Sequence, residues 1–427
     1  MQHKIPISQL EKKIGPQLLE MTRAVETCVH CGFCLPACPT YQLLGEEMDS
    51  PRGRIVLMKS VLEGELQLDE AMLYLDRCLG CQACVTICPS GVHYGELITP
   101  FRAYARGNVH APVSRQFQRT LLERTLPYPG RFRAATALGK IAKPLHRALP
   151  DFMAPMLSLL PDNLPEYQSL PELVPARGPR VGRVALLVGC VQQVLEPEIN
   201  WATIRVLARN GIEVILPKTQ TCCGALSIHT GDHDQARLLA RQNLRAFPED
   251  VDAILTNAAG CGSGMKEYPL LFKGLPEEHK AVAFAEKVMD ISEYLSSLEL
   301  DQVSPLSQPL TAAYHDACHL AFAQGITLAP RKLLTAIPNL TLLEISDTSN
   351  CCGSAGSYNV EQPDLAVELG QRKAESILNS GAQAVITGNI GCMVQLRMHL
   401  KLLGKPLPVY HTVEMLDLAY SVGEKDR

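Results

Sequence analysis

The chain has 427 residues, 46% hydrophobic and 20% charged, with a formal net charge of −4. That length points to two or three domains, each able to bury its own core, and the acidic balance argues against nucleic-acid binding. Met1 to Glu20 is polar, with Lys4, Lys12 and Lys13 and no apolar run behind them, so no secretory signal is expected, and no apolar run approaches the ~18 residues of a spanning helix. These features predict a cytoplasmic chain, in which 16 cysteines mean metal or redox work and not disulfides.

Residues 1–100 hold Cys28-Val-His-Cys31-Gly-Phe-Cys34-Leu-Pro-Ala-Cys38-Pro39 and a second copy, Cys78-Leu-Gly-Cys81-Gln-Ala-Cys84-Val-Thr-Ile-Cys88-Pro89, displaced by 50 residues at every cysteine. Both read C-x-x-C-x-x-C-x-x-x-C-P, the spacing of bacterial two-cluster ferredoxins. Two-residue gaps let three thiolates surround one face of a cluster, while the fourth reaches the other cluster. Pro39 and Pro89 then turn the chain away. Crossed ligation predicts one [4Fe-4S] cluster on Cys28, Cys31, Cys34 and Cys88, and another on Cys78, Cys81, Cys84 and Cys38. Zinc assembles two separated C-x-x-C knuckles around one ion, which suits this packing of cysteines badly. Between the copies, Pro51-Arg-Gly-Arg54 leads into Ile55, Val56, Met58 and Leu62, a helical spacing, and Asp69 to Arg77 predicts a second helix. Arg52 and Arg54 read as a solvated face or helix-end ion pairs, with contact to an acidic partner or tuning of a cluster as the alternative. His30 and His93 stand beside cysteines, but all eight ligand positions are filled by thiolates, so neither is expected to ligate.

Residues 101–183 lose strand signals. Phe101 to Pro150 carries ten Lys or Arg, among them Arg102, Arg115, Arg131, Lys140 and Arg147, against the single acid Glu123. Leu121, Leu122 and Leu126, then Ala137, Leu138 and Ile141, predict short helices punctuated by Pro127, Pro129 and Pro144. The apolar run Phe152 to Leu160 follows, broken by Pro155. A basic stretch beside an apolar one suits an anionic membrane face, yet the prolines interrupt any continuous amphipathic stripe, which favours a partner-facing or solvated connector. Pro161 to Arg183, with four further prolines, reads as a linker.

The rest repeats itself. Val184–Val188 runs to Cys190, Ile212–Leu216 leads to Cys222-Cys223-Gly224, and Ala253–Leu255 leads to Cys261. Downstream, Ala312–Tyr314 precedes Cys318, Leu340–Ile345 precedes Cys351-Cys352-Gly353, and Ala384–Ile386 precedes Cys392. Offsets of 128, 129, 129 and 131 relate the four cysteines, which marks an internal duplication. Helical stretches such as Glu198–Asn210 and Asp234–Ala246 make each lobe a β-α-β-α-β series and hence a parallel sheet, with ligands beyond the carboxyl ends of its strands. All eight cysteines fall there. They form a second candidate set for a further iron–sulfur cluster or a zinc ion, one site per lobe or one shared. Buried cysteine is also a common small hydrophobe, but adjacent cysteines repeated in both lobes suit packing poorly and suit a polynuclear cluster better than one ion. His229, His315, Asp316 and His319 read as hydrogen-bonded loop residues, with proton relay or contact to a small acceptor as the alternative. Trp201 reads as helix core. The fold class is therefore α+β and multidomain: a helical two-cluster ferredoxin domain (1–100), a basic helical connector and Pro-rich linker (101–183), and two α/β cysteine-rich lobes (184–300 and 311–420).

With these motifs the chain resembles the iron–sulfur subunits of flavin-linked respiratory dehydrogenases that carry two cysteine–cysteine–glycine (CCG) domains, and most of all the glycolate oxidase iron–sulfur subunit family. The residues that carry the likeness are Cys28-Val-His-Cys-Gly-Phe-Cys34, Cys38-Pro-Thr-Tyr-Gln-Leu-Leu-Gly45, Pro51-Arg-Gly-Arg54, Cys88-Pro-Ser-Gly91, Gly260-Cys-Gly262, Cys351-Cys-Gly-Ser-Ala-Gly356 and Asn389-Ile-Gly-Cys392. The resemblance implies an oxidoreductase-complex subunit that relays electrons from FAD on partner flavin-binding glycolate oxidase subunits, which oxidise glycolate and D-lactate, toward membrane quinone on the cytoplasmic face of the inner membrane. Its alternatives are an autonomous reductase like heterodisulfide reductase, or the iron–sulfur subunit of another 2-hydroxy-acid or glycerol-3-phosphate dehydrogenase. No G-x-G-x-x-G follows a strand, and Gly260-Cys-Gly-Ser-Gly264 has the wrong spacing, so substrate chemistry is expected on a partner. A DNA-binding redox sensor is disfavoured for want of a reading element. One departure matters. Heterodisulfide reductase relatives follow the last cysteine of a lobe with another three residues on, where this chain has Gly264 and Gln395, which leaves four thiolates per lobe; an oxygen ligand from Ser263 is not expected.

Overall fold

The computed structural model of the chain describes residues 5–109, 112–143, 154–161, 163–346 and 350–425; Lys4, Pro144, Arg147, Phe152 and Met153 lie outside them. Near the amino end, the helices Leu18–Thr27, Pro51–Leu62, Leu68–Leu75 and Tyr94–Asn108 enclose one core. Leu18, Met21 and Val25 meet Ile55, Met58, Leu62, Leu97 and Phe101, all buried. Ser50 starts the second of these helices by accepting from the Gly53 amide (2.9 Å), and Pro51 takes the first helical position, where its missing N–H costs nothing. Leu97, Phe101 and Ala105 recur every four residues and all bury, so the last helix continues past residue 100 as one apolar face.

Among the described residues the strands are β1 (Leu173–Val174), β2 (Gly182–Leu187), β3 (Ile212–Ile215), β4 (Ala253–Thr256), β5 (Val288–Asp290), β6 (Leu310–Tyr314), β7 (Leu340–Glu344), β8 (Ala384–Thr387) and β9 (Val409–His411). They form two sheets, ordered β1-β3-β2-β4-β5 and β7-β6-β8-β9. The order β3-β2-β4-β5 recurs as β7-β6-β8-β9, so the duplication extends to topology. Every pairing is parallel except that of β1, which runs antiparallel along β3 with Leu173 opposite Ile215. The Pro-rich stretch read as a linker thus supplies an edge strand to the first sheet. Val184 to Leu187 in β2 and Ala384 to Thr387 in β8 are buried at every residue, as expected for central strands with helices on both faces.

The lobes share a single apolar core, in which Ile199, Val206 and Leu207 of the first lobe join Leu396, Leu416 and Tyr420 of the second. At its edge Arg205 grips Asp417 through Nε (3.0 Å) and Nη2 (2.6 Å). Trp201 packs against this core from a half-buried position.

The connector is more than a solvated or partner-facing segment, because Arg106, Arg115 and Arg119 point inward and fasten the modules together, while Arg124 and Arg131 stay exposed. Arg115 pairs with Asp76 (2.5 Å), Arg119 with Glu361 (2.7 Å), and Arg106 with both Glu123 (2.6 Å) and Asp232 (3.4 Å). Glu123, the one acid of the basic stretch, is buried; besides Arg106 it accepts from the Thr230 hydroxyl (3.2 Å). Its neutral isostere would leave Asp232 as the charged partner of Arg106 and set an amide NH2 against the guanidinium. Glu123→Gln is expected to lower stability by about 2–3 kcal/mol, the range for a hydrogen bond to a buried charge, measured as a lower guanidinium chloride midpoint.

Candidate metal centres

The two amino-terminal cysteine loops share an unusual backbone. In the first copy His30 (φ 55°) and Gly32 (φ 86°) are left-handed; in the second Gly80 (φ 67°) and Gln82 (φ 61°) occupy the same places. The glycine has moved between the copies while the conformation has not. Alternating handedness curls successive amides into a concave nest suited to anionic sulfur, and it is held here even where a side chain makes it costly, at His30 and Gln82. The amide of residue 30 donates to Cys28, and that of Gly80 donates to Cys78 Sγ (3.4 Å).

Folding sorts the eight sulfurs into two groups. Cys28 and Cys34 lie beside each other and beside Cys88, with Cys31 next to Cys28. Cys78, Cys81 and Cys84 lie beside Cys38. The first group is near the surface, with Cys31 exposed; in the second Cys38, Cys78 and Cys81 are buried. Burial pushes Cys34 up to about 11 and Cys81 and Cys84 well above the usual thiol value. Burial acts on Cys78 in the same direction, but the guanidiniums of Arg54 and Arg102, the Gly80 amide and the Tyr94 hydroxyl outweigh it, and its pKa falls. Four soft donors per group, lined by amide donors, fit a [4Fe-4S] cluster in each.

Arg54 is not on a solvated face or a partner surface. It is 1% exposed, because Asp49 (3.0 Å), Thr40 Oγ1 (2.9 Å) and the Tyr74 carbonyl (2.9 Å) surround its guanidinium, which also lies 3.8 Å from Cys38 Sγ. That burial agrees with the helix-end ion pair, made here with Asp49, and with charge set beside a cluster, and not with a solvated face or a partner surface. Arg52 instead holds Glu47 through two hydrogen bonds (2.8 and 3.0 Å) and donates to the His30 carbonyl (3.1 Å), bracing the first loop. Arg102, which residue order marks only as one of ten basic residues, donates to the carbonyls of Leu75 and Cys78 on one side and His229 (3.2 Å) on the other. Nothing local in the sequence marks it, since its partners lie 24 to 127 positions away.

In the lobes each cysteine set forms a chain of contacting thiols: Cys190–Cys222–Cys223–Cys261 and Cys318–Cys351–Cys352–Cys392. All stand beyond strand ends. The third residue of each CCG is left-handed (Gly224, φ 80°; Gly353, φ 84°), and a Cβ at Gly353 would fall 2.5 Å from the Ala366 carbonyl oxygen, so a side chain is excluded there. The turn aims the amides of Ala225 and Ser354 at Cys223 and Cys352.

The sets are contiguous. Cys84 faces Cys34 across the amino-terminal groups, and Cys81 faces Cys318 and Cys351 along an apolar seam that includes Leu79, Ala83, Tyr358 and Leu369. The lobes meet where Asn389 accepts from the Gly260 amide (3.4 Å) and the Gly388 carbonyl accepts from that of Ala259 (3.2 Å). A cavity of about 1200 Å³ opens onto Cys78 and all eight lobe cysteines, walled on its far side by Leu121, Leu122, Phe132 and Leu160 of the connector region.

Histidines sit between these sets. His229 bonds Glu267 (3.1 Å) and its ring lies 5.1 Å from that of His319, while His319 bonds the Ser263 hydroxyl (2.7 Å), which engages the oxygen considered as a ligand. Asp316 is held by Arg331 (2.7 Å). Burial, with Lys373 adding to it, lowers His315 to about 3; burial lowers His319, His411 and His233 to about 4, aided at His319 by His229 and at His233 by Arg237.

Such a protein is an iron–sulfur protein with a two-cluster domain followed by paired cysteine-rich domains. Residues 24–92 match the 4Fe-4S dicluster domain family, and residues 184–266 and 312–397 each match the CCG cysteine-rich domain family. Over 414 residues the chain is 36% identical to the glycolate oxidase iron-sulfur subunit of Escherichia coli (strain K12), covering 96% of this chain and 97% of that one. It is 36% identical over 394 residues to the probable glycolate oxidase iron-sulfur subunit of Bacillus subtilis (strain 168), covering 88% of each. A lactate utilization protein A of an Exiguobacterium species is 33% identical over 237 residues, 55% of this chain and 96% of that one. The chain belongs to the glycolate oxidase iron–sulfur subunit family. Among the described residues no helix is long and apolar enough to cross a membrane.

The buried histidines set an acid limit on the fold. His319, His411 and His233 each bind a proton in the unfolded chain near pH 6.5 and in the folded chain only near 4, so the unfolded state takes up more protons between those values and stability falls as pH drops below 6.5. Asp290, raised by burial to about 6, and Glu414, also raised by burial, oppose them. The net expectation is a loss of roughly 1.4 kcal/mol per pH unit for each uncompensated histidine, checked by denaturant unfolding at pH 7 and pH 5. A second consequence concerns Asp49: Arg54→Met would leave its buried carboxylate to Arg77 alone, at a cost of about 3–5 kcal/mol, visible as a lowered melting temperature.

Proposed function

We propose that the chain is the electron-transfer subunit of a glycolate oxidase complex, taking electrons one at a time from FAD on partner flavin subunits that oxidise glycolate and D-lactate, and delivering them toward membrane quinone at the cytoplasmic face of the inner membrane. The observation that carries this reading is the unbroken series of thiol groups from exposed Cys31 through Cys34, Cys84 and Cys81 to Cys318 and Cys351. Cys28, Cys31, Cys34 and Cys88 would hold one [4Fe-4S] cluster and Cys38, Cys78, Cys81 and Cys84 the other; such clusters supply reversible one-electron storage. The protein's own part is to place the groups in contact, exclude water from the inner one, and set charge beside it through Arg54 and Arg102. Cys318 and Cys351, with Cys190, Cys222, Cys223 and Cys261 of the first lobe, extend the path to the large cavity, whose apolar wall suits a quinone ring. The connector's exposed Val113, Phe117, Leu138 and Ile141 offer a face for the partner subunits or the membrane surface.

The anaerobic protein is expected to carry about eight irons in its amino-terminal groups. In the assembled complex, Cys84→Ser is expected to leave flavin reduction by glycolate intact while electron delivery to a quinone analogue drops to background. Full turnover by that variant, or a colourless protein containing zinc and no iron, would sink the reading. Quinone or disulfide reduction by the isolated chain with a chemical reductant would instead place catalysis in the lobes.

A further inference from the structure

The second lobe has a donor that its duplicate lacks. His315 follows the last residue of β6 and is 2% exposed, yet its Nε2 is buried without a hydrogen-bond partner. A ring nitrogen of His315 and the sulfurs of Cys352 and Cys392 all lie within 4.8 Å of one another, and all three residues are buried. They come from the ends of three separate strands, β6, β7 and β8. An unsatisfied ring nitrogen in a dry interior costs about 1–3 kcal/mol, which calls for a partner that the protein atoms do not provide.

Spacing separates this trio from the other thiol groups. In a cubane each thiolate binds a different iron, whereas donors on one tetrahedral ion, at bond lengths of about 2.0–2.3 Å, stand only about 3.5–3.8 Å apart. Among the described residues the trio is the single group of three histidine, cysteine or acidic side chains whose donor atoms all lie within 4.8 Å of one another, a spacing that a small inward shift would close around one ion. The internal duplication supplies the control: at the cysteine offset of 128, the first-lobe counterpart of His315 is Leu187, a buried apolar residue at the end of β2. Only one cysteine of the adjacent pair is needed, so the poor geometry of vicinal thiols on one ion does not arise. Asn389 donates to Cys392 Sγ (3.4 Å), support of the kind that orients a metal thiolate.

We propose that His315, Cys352 and Cys392 bind a single divalent ion, zinc by the borderline character of one imidazole and two thiolates. Cys352 and Cys392 also line the large cavity, from which a small molecule or water would reach the ion. The two lobes are then functionally unequal, with a mononuclear site in the second only. This inference concerns the lobe alone and stands or falls apart from the electron-transfer reading.

The test is metal analysis and zinc X-ray absorption on the full-length anaerobic protein. The expected result is about one zinc per chain with one nitrogen and two sulfur neighbours from the protein. His315→Leu, which imports the first lobe's residue, is expected to weaken zinc retention against a chelator by at least roughly 10–100-fold, since even supporting residues matter that much. His315→Cys is expected to keep the ion while a sulfur replaces the nitrogen in its shell, a readout that holds if the leucine variant misfolds. Zinc retained unchanged in His315→Leu, no zinc in the parent protein, or iron at these three residues would overturn the proposal. The iron of the amino-terminal groups is counted in the same samples, so its loss would fault the electron-transfer reading and not this one.

Discussion

Sulfur atoms that ionise to bind metal can be gathered in a protein interior only if something offsets their charge. Around the buried amino-terminal group that role falls to Arg54, and the rest of the module is arranged to hold it. Asp49 neutralises its far side, Thr40 and the Tyr74 carbonyl use its remaining donors, and the helix from Pro51 carries it to within 3.8 Å of Cys38. A lone guanidinium there would be too costly to bury, and a lone thiolate likewise. Together with Arg102 they make a site in which Cys78 is pushed down in pKa despite burial, while Cys81 and Cys84 are pushed up.

The same economy of charge joins the domains. Arginines of the connector meet Asp76, Glu123, Asp232 and Glu361 at the boundaries between the cluster module and the two lobes. Such pairs are partly buried, where removing one partner costs more than the pair contributes, so they specify one docking geometry. That geometry matters because it sets Cys81 against Cys318 and Cys351. A connector that merely tethered the modules could not keep sulfur groups in contact.

Duplication has been used twice, with opposite results. The amino-terminal copies preserve backbone handedness while glycine changes place, since what a nest needs is conformation and not a particular side chain. The lobes preserve sheet order and the CCG turn but diverge at Leu187 and His315, where side-chain chemistry differs at matched backbone positions. Repeats that agree in fold and differ in one donor are a natural route to two unlike centres in one chain.

The cysteine spacing alone determined the two-cluster module, its crossed grouping and the lobe duplication, because ligand spacing and strand–turn periodicity are local and leave a direct trace in residue order. The family resemblance rested on the same local motifs. The fate of the charged residues was only partly legible: Arg54 read as a solvated face or a helix-end ion pair, and nothing marked Arg106, Arg115 and Arg119 as facing inward, because helical periodicity shows which residues share a face and not what covers it. Nor could residue order reveal that the supposed linker contributes β1, or that His315 meets Cys352 and Cys392 from other strand ends. Those contacts join positions tens to hundreds of residues apart, and only the packing of sheets and helices, which brings distant strand ends to one place, decided them.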